Sequence, residues 1–341
     1  MSPYSKPGPV ASAAGFRLLR TVAVCVAAAC LSAACAINPR IDLADLSQPD
    51  QELTLESVPF YAQTEYECGP AALAGVLGAA GVEITPAELS PQIYLPERKG
   101  SLQLELLAAS RRAGRIPYTL EPEPSALIRE LEAGRPVLVF QNLRTPHFPV
   151  WHFAVLTGFN ARANEFYLNT GEFEFRKDSA RSFLRTWDWA DRWALVVLRP
   201  GELPSEPDLL RYLQAISDFE KVAGSTAAEP AWRKAVEQWP QDHRPYLALG
   251  NAEYRSGNYM EAVRLFDKGL EFKPDDAALE NNLASALAEA GCAGLARNRL
   301  AAYLGGLDPA SPWYQDLSHT LSELESLPET GSHPCAGLAG R

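Results

Sequence analysis

The feature that most constrains the fold of this 341-residue chain is a period of 34 residues in its C-terminal part. One unit is marked at Leu249, Gly250, Gly257, Tyr259, Ala262, Phe266 and Pro274. A shift of 34 residues back aligns Ala228, Trp232, Ala235 and Pro240 with these positions, and a shift forward aligns Leu283, Gly291, Ala296 and Leu300. A period of this length predicts stacked helix pairs, and it is not the seven-residue period of a coiled coil.

The repeated positions resemble the tetratricopeptide pattern, a helix–turn–helix unit. We therefore expect tetratricopeptide repeats over residues 209–327, closed by a capping helix at 311–327 and followed by a tail at 328–341. Residues 201–208 are rich in proline, glycine and serine, which is typical of a linker. The resemblance implies a concave helical surface that binds a protein partner.

The region before this linker, residues 53–200, has a different order of elements. Helical patterns come first, over 71–77, 85–89, 102–113 and 125–133, and each of the last two ends before a glycine. Short apolar or alternating runs follow at 136–140, 151–159, 165–169, 172–176 and 193–198, and they predict strands. Helices followed by an antiparallel sheet indicate the α+β class.

The N-terminal segment, residues 1–35, has the pattern of an export signal. Basic residues precede an apolar run at 21–31, and small residues lead to Cys35. The end of this segment resembles a bacterial lipoprotein signal, which implies acylation of Cys35, although Leu31 stands four rather than three residues before it. Secretion with cleavage nearby is the alternative. The polar residues 36–52 predict a tether.

The residue after Cys35 is an alanine rather than an aspartate, so we expect attachment to the outer membrane, facing the periplasm. A secreted or soluble periplasmic protein is the alternative location. The net charge of −11 makes a nucleic-acid partner unlikely. The spacing of cysteines and histidines gives no convincing zinc site, and no glycine-rich phosphate loop occurs. We expect no cofactor.

Cys68 is the candidate nucleophile. It is followed by Gly69 and Pro70, and proline is favoured in the first turn of a helix because its missing N–H would be unpaired there. A thiol at this place is near the positive end of the helix dipole, which favours the thiolate. Gln63, five residues before Cys68, is a candidate donor to an oxyanion. The alternative is a small buried cysteine in a core helix.

His152 is the candidate base. Only His147 and His152 lie between the signal and the linker, and His152 begins a strand that runs into the core, whereas His147 lies in a loop with prolines. A base of this kind is oriented by a hydrogen-bond acceptor, and Asn169 on the next strand is the candidate for that role. Asn169 also fits a turn before Thr170 and Gly171.

The stretch Gln63 to Ala71 and the stretch Trp151 to Phe159 resemble those of papain-like cysteine peptidases of the bacteriocin-processing class, which cleave double-glycine leaders. The resemblance covers residues 53–200 and is closer to an exported branch with a tetratricopeptide tail. It implies a papain-like fold with Cys68 as nucleophile, His152 as base and Gln63 as oxyanion donor. The family's third catalytic residue is typically an aspartate, where this chain offers Asn169. No transporter domain is present, so leader cleavage does not carry over.

The sequence therefore predicts an exported cysteine peptidase that hydrolyses a peptide or isopeptide bond and recruits a protein partner through its repeats. A catalytically silent envelope scaffold and an amidase or acyltransferase acting on peptidoglycan are the alternatives. Cys292 and Cys335, in the second domain, either pair in an oxidising compartment or leave Cys292 packed and free.

Overall fold

The computed structural model describes residues 41–62, 67–98 and 100–328, with Arg98 described in its backbone only. The predicted signal segment with Cys35 lies outside these ranges, as do Gln63 and Cys335. From Leu43 onward the chain belongs to one compact unit, so the predicted domain boundaries stay a prediction. Among the described residues, no helix has both the length and the apolar character that crossing a membrane requires.

The first part of the chain contains five helices among the described residues. They are α1 (Cys68–Ala79), α2 (Pro86–Ile93), α3 (Gln103–Arg112), α4 (Pro124–Glu132) and α5 (Ala180–Asp188), and short 3-10 helices lie at Leu43–Asp45 and Pro96–Arg98. Thr85 caps α2 with a capping box, because its hydroxyl accepts the Glu88 N–H while the Glu88 carboxylate accepts the Thr85 N–H. The helical patterns read from the sequence are therefore confirmed, and α5 is an additional helix.

Seven strands of this part form one sheet, with a separate two-stranded hairpin. The strands are β1 (Glu52–Thr54), β2 (Tyr94–Leu95), β3 (Gly100–Ser101), β4 (Ile116–Thr119), β5 (Val137–Asn142), β6 (Trp151–Asn160), β7 (Glu165–Thr170), β8 (Phe173–Ser179) and β9 (Ala194–Leu198). The sheet order is β4-β9-β5-β6-β7-β8, β1 pairs with β6, and every pairing is antiparallel. The predicted α+β class is confirmed.

Helix α1 packs on one face of this sheet and is surrounded by core. Every residue from Gly69 to Leu77 is buried, and the α1 side chains share one cluster with Phe153 and Val155 of β6. An apolar helix of this kind is stable only inside a domain, since burying each Leu or Val side chain contributes roughly 1.5–3 kcal/mol. The packing fixes the N-terminus of α1, and with it Cys68, near the first residues of β6.

The segment predicted as a tether is packed against the sheet over its described part from Leu43 onward. Leu43 is completely buried, and β1 pairs residue for residue with the end of β6. Gly158 permits this approach, because a Cβ on it would lie 2.1 Å from the Leu53 carbonyl oxygen. The polar composition hid this strand, since only Leu43 and the backbone of residues 52–54 make the contacts.

The C-terminal part is a series of helices with the predicted period. The helices are α6 (Leu209–Ala223), α7 (Ser225–Gln238), α8 (His243–Arg255), α9 (Tyr259–Phe272), α10 (Ala277–Glu289), α11 (Ala293–Gly306) and α12 (Tyr314–Ser326). Helices α6, α8 and α10 begin 34 residues apart, and so do α7, α9 and α11. Helix α12 occupies the place of the predicted capping helix, and the positions of these helices fit tetratricopeptide units.

The first repeat helix is fixed to the sheet domain. The Asp208 N–H donates to the Tyr118 hydroxyl at 3.1 Å, and the rings of Tyr118 and Tyr212 lie 6.4 Å apart. Arg111 of α3 and Asp218 of α6 form an ion pair at 3.4 Å. The predicted linker is held too, because the Ser205 N–H donates to the buried Glu130 carboxylate at 2.7 Å.

Candidate active site

Cys68 is the first residue of α1 and is half-buried. Within the described residues it is a free thiol. The sulfur packs at the margin of the core cluster that contains Phe153. The predicted position of the thiol at a helix N-terminus is therefore confirmed.

Gly69 allows a second segment to approach the thiol. A Cβ on Gly69 would lie 2.5 Å from Ser101 Oγ and 2.7 Å from Ser101 Cβ, so a larger residue would displace β3. The Ser101 hydroxyl is buried here and has no hydrogen-bond partner among the described residues. The hairpin of β2 and β3 thus closes one side of the α1 N-terminus.

The electrostatic surroundings of Cys68 favour the neutral thiol at rest. Burial raises the pKa of Cys68 above its ordinary value of 9.0. The backbone N–H groups of Phe153, Gly69 and Cys68 itself, in that order, offset part of this rise by stabilising the thiolate. The Phe153 N–H belongs to the peptide bond that joins Phe153 to His152, so the sulfur lies beside the backbone at the start of β6.

His152 is the second residue of β6 and lies opposite Gln141 of β5. Its Nε2 is 2.6 Å from Thr170 Oγ1. Burial lowers the pKa of His152 to about 4, and the positive charge of Arg176 adds to this effect. At neutral pH the ring is therefore an uncharged imidazole, in which one nitrogen carries the proton and the other can accept one.

The hydrogen bond of the His152 ring goes to Thr170 rather than to Cys68 or Asn169. Asn169 is buried, its Oδ1 accepts the Phe175 N–H at 3.0 Å, and its Nδ2 has no hydrogen-bond partner among the described residues. The prediction that Asn169 orients His152 is thus replaced in this structure by its neighbour Thr170. Residues 169 and 170 point to opposite faces of β7, and the sequence gave no signal that distinguished them.

The other predicted site residues are placed less directly. His147 lies exposed in the loop between β5 and β6, as expected for the less well positioned histidine. Cys292 is buried before α11 and is disulfide-bonded. Its pairing with Cys335 stays a prediction, because Cys335 lies outside the described residues, as do Gln63 and Cys35. Within the described ranges, no group of His, Cys, Asp and Glu side chains is arranged to hold a metal ion.

Comparison with known families assigns the sheet domain. The sequence model of the Peptidase_C39 like family matches residues 55–193, a segment that includes Cys68, His152 and Thr170. This segment is a C39-like peptidase domain. The predicted likeness to the papain-like, bacteriocin-processing class is confirmed at the level of the family.

Two solved structures are similar to parts of the chain. A candidate C39-like peptidase from Bacillus anthracis is 17% identical, with a TM-score of 0.37 over 44% of this chain and 98% of that one. The TPR2B-domain–pHsp70 complex of yeast Sti1 is 15% identical, with a TM-score of 0.31 over 34% of this chain and 95% of that one. At TM-scores below 0.5, neither likeness adds to what the fold and the family match establish.

Proposed function

We propose that the chain is a cysteine peptidase in which Cys68 is the nucleophile and His152 the base. The observation that carries this proposal is the position of the Cys68 sulfur beside the backbone of His152 and Phe153, within a C39-like domain. Thr170 holds the base by accepting a hydrogen bond from Nε2–H, which leaves the lone pair on Nδ1. Apo geometry is often looser than that of the substrate complex, so the missing Cys68–His152 hydrogen bond is compatible with this role.

The proposed reaction begins from the neutral pair. Nδ1 of His152 takes the proton of the Cys68 thiol while Sγ attacks the carbonyl carbon of a peptide or isopeptide bond. A backbone N–H at the start of α1 and the side-chain amide of Gln63 donate to the oxyanion. The imidazolium then gives its proton to the leaving amine, and a thioester remains. Water, deprotonated by His152, hydrolyses the thioester and restores the thiol.

An active-site probe tests this function. A peptide carrying an electrophilic ketone should modify Cys68, and the modification should be lost in His152→Ala although the thiol is still present. Cys68→Ser should remove turnover and leave the fold intact, because the two side chains are nearly the same size. Full activity of Cys68→Ser would exclude this mechanism. Equal labelling of Cys68 in wild type and His152→Ala would favour a catalytically silent scaffold.

The substrate class separates the remaining alternatives. Cleavage of proteins or peptides but not of muropeptides supports a peptidase. The opposite pattern would indicate an amidase or acyltransferase that acts on peptidoglycan with the same residues.

We further propose that the protein is exported and anchored to the outer membrane through acylated Cys35, facing the periplasm. The basic residues, apolar run and small residues before Cys35 support this. Metabolic labelling with a radioactive fatty acid should mark the wild-type chain but not Cys35→Ala. Export without labelling would instead indicate a secreted or soluble periplasmic protein.

The repeats are proposed to recruit a protein partner or substrate. The series of helix pairs from α6 to α11 supports this, since stacked pairs of this kind form extended binding surfaces. Affinity capture with Cys68→Ala should retain substrate, and truncation after residue 208 should lose the partner but not the reactivity of Cys68. Loss of that reactivity would show that the repeats also support the fold of the C39-like domain.

A further inference from the structure

The exposed apolar side chains of the sheet domain are gathered on one side of it. Before residue 209, six large apolar side chains of the described residues are exposed, each by between 42% and 73%. They are Leu104, Leu143, Phe148, Val150, Trp151 and Phe173. We call this set the apolar rim.

Three segments carry the rim, and each adjoins the candidate site. The loop 143–150 leads directly through Trp151 to His152. Phe173 pairs with Thr170, the partner of the His152 ring. Leu104 follows Ser101, whose side chain abuts Gly69. Because β5 and β7 end where β6 and β8 begin, both hairpin turns lie at the end of the sheet that holds His152.

Part of the rim is rigid. The ring of Trp151 stacks on Phe140 at 5.1 Å, and Phe140 in turn packs on Phe153 at 4.6 Å. The base of the loop is closed by the Leu143 N–H, which donates to the Val150 carbonyl at 2.8 Å. A fixed, half-exposed aromatic ring loses little conformational entropy on binding, as binding hot spots do.

We propose that the apolar rim binds bulky apolar side chains of an extended peptide on either side of the bond presented to Cys68. This inference rests on the proposed function and names its substrate class. A carbonyl can reach the half-buried sulfur only if the chain that carries it passes between these three segments. Its flanking side chains then cover the rim, and burial of apolar area on both partners favours Leu, Ile, Phe or Met there.

Cleavage of an unbiased peptide mixture by the full chain tests the proposal. Cleaved bonds should be enriched in bulky apolar residues within a few positions of the cut. For one peptide with phenylalanine there, Phe148→Ser should lower kcat/KM roughly tenfold, within the range of one apolar group in a pocket. Leu104→Ser should act likewise. Its matched control is Leu210→Ser, also the second residue of a helix and 60% exposed, which should leave the rate unchanged.

A binding measurement separates failure of this inference from failure of the proposed function. In Cys68→Ala, fluorescence anisotropy should show tighter binding of an apolar labelled peptide than of its serine-substituted counterpart, and Phe148→Ser should remove the difference. That result supports the rim even if the wild type cleaves nothing. Cleavage or binding without apolar preference would overturn it. Sedimentation with vesicles of phosphatidylethanolamine and phosphatidylglycerol that depends on Phe148 would assign the rim to a lipid surface instead.

Discussion

Thr170 holds the ring of His152 through a hydrogen bond of 2.6 Å between Oγ1 and Nε2, one residue beyond the position where the sequence predicted an orienting amide. Thr170 is buried at the end of β7, so no water competes freely for the bond. This pairing fixes which nitrogen of the base remains available.

The first prediction concerns this hydroxyl. Thr170→Val keeps the shape but leaves a buried ring nitrogen without its partner, which costs about 1–3 kcal/mol, or roughly 5- to 150-fold in kcat. Thr170→Ser should restore most of the rate. Steady-state kinetics and the pH profile of kcat/KM test this, since a purely structural role would not change the pH profile. Equal rates for Thr170→Val and wild type would return the orienting role to Asn169.

The second prediction concerns the resting thiol. Because burial raises the pKa of Cys68 and lowers that of His152 to about 4, the resting site is a neutral pair. Alkylation of Cys68 by iodoacetamide should rise with pH through the alkaline range, without a plateau at acidic pH. Mass spectrometry of the Cys68 peptide at a series of pH values measures the rate. A plateau between pH 4 and 7 would instead reveal a thiolate–imidazolium pair.

The third prediction links His152 to stability. In the unfolded chain His152 takes up a proton as the pH falls through 6.5, whereas in the folded chain it does so only near 4. The unfolded state therefore binds more protons, and the free energy of unfolding should fall as the pH drops from 6.5 to 4, by up to about 3 kcal/mol. Urea denaturation of wild type and His152→Gln gives the contribution of this residue by difference. Parallel pH curves for the two proteins would contradict the prediction.

The fourth prediction concerns the contact beneath the thiol. Gly69→Ala places a Cβ 2.5 Å from Ser101 Oγ, so β3 or the start of α1 must move. We expect a loss of stability of about 1–3 kcal/mol, typical of overpacking, together with reduced labelling of Cys68 by the electrophilic peptide. Ser101→Gly in the same chain should recover both. Failure of the double variant to recover would indicate that Gly69 is required for another reason.

The fifth prediction concerns the oxyanion. Gln63→Ala should lower kcat roughly 10²- to 10³-fold, the range of one oxyanion donor. Gln63→Glu, which loses the donor but keeps the size, should behave in the same way. An unchanged rate would remove Gln63 from the mechanism and leave the roles of Cys68 and His152 intact.

Periodic features of the sequence predicted the fold well. The 34-residue period repeats three times, so it placed α6 to α11 correctly. The apolar alternation at 151–159 likewise identified β6. Strand β4 was missed because it is only four residues long and contains Pro117, and β1 because Leu53 is its sole apolar side chain.

The candidate site was less predictable than the fold. The position of Cys68 follows from local rules for helix starts, but the partner of His152 depends on the register of β7 against β6. That register shifts between Leu156 and Gly158, and the pairing of β7 with β8 shifts again between Leu168 and Thr170. Irregularities of this kind exchange the faces of neighbouring residues and leave no mark in the residue pattern.

The attachment of α6 to the sheet domain has a consequence for substrate choice. Tyr118, Tyr212 and the ion pair of Arg111 with Asp218 join the repeats to the catalytic half without a swinging joint. A protein held by the repeats is therefore offered to the thiol at a set reach, like a workpiece clamped at one distance from a blade. Which bond is cut would then depend on how far it lies from the clamped region as much as on the residues around it.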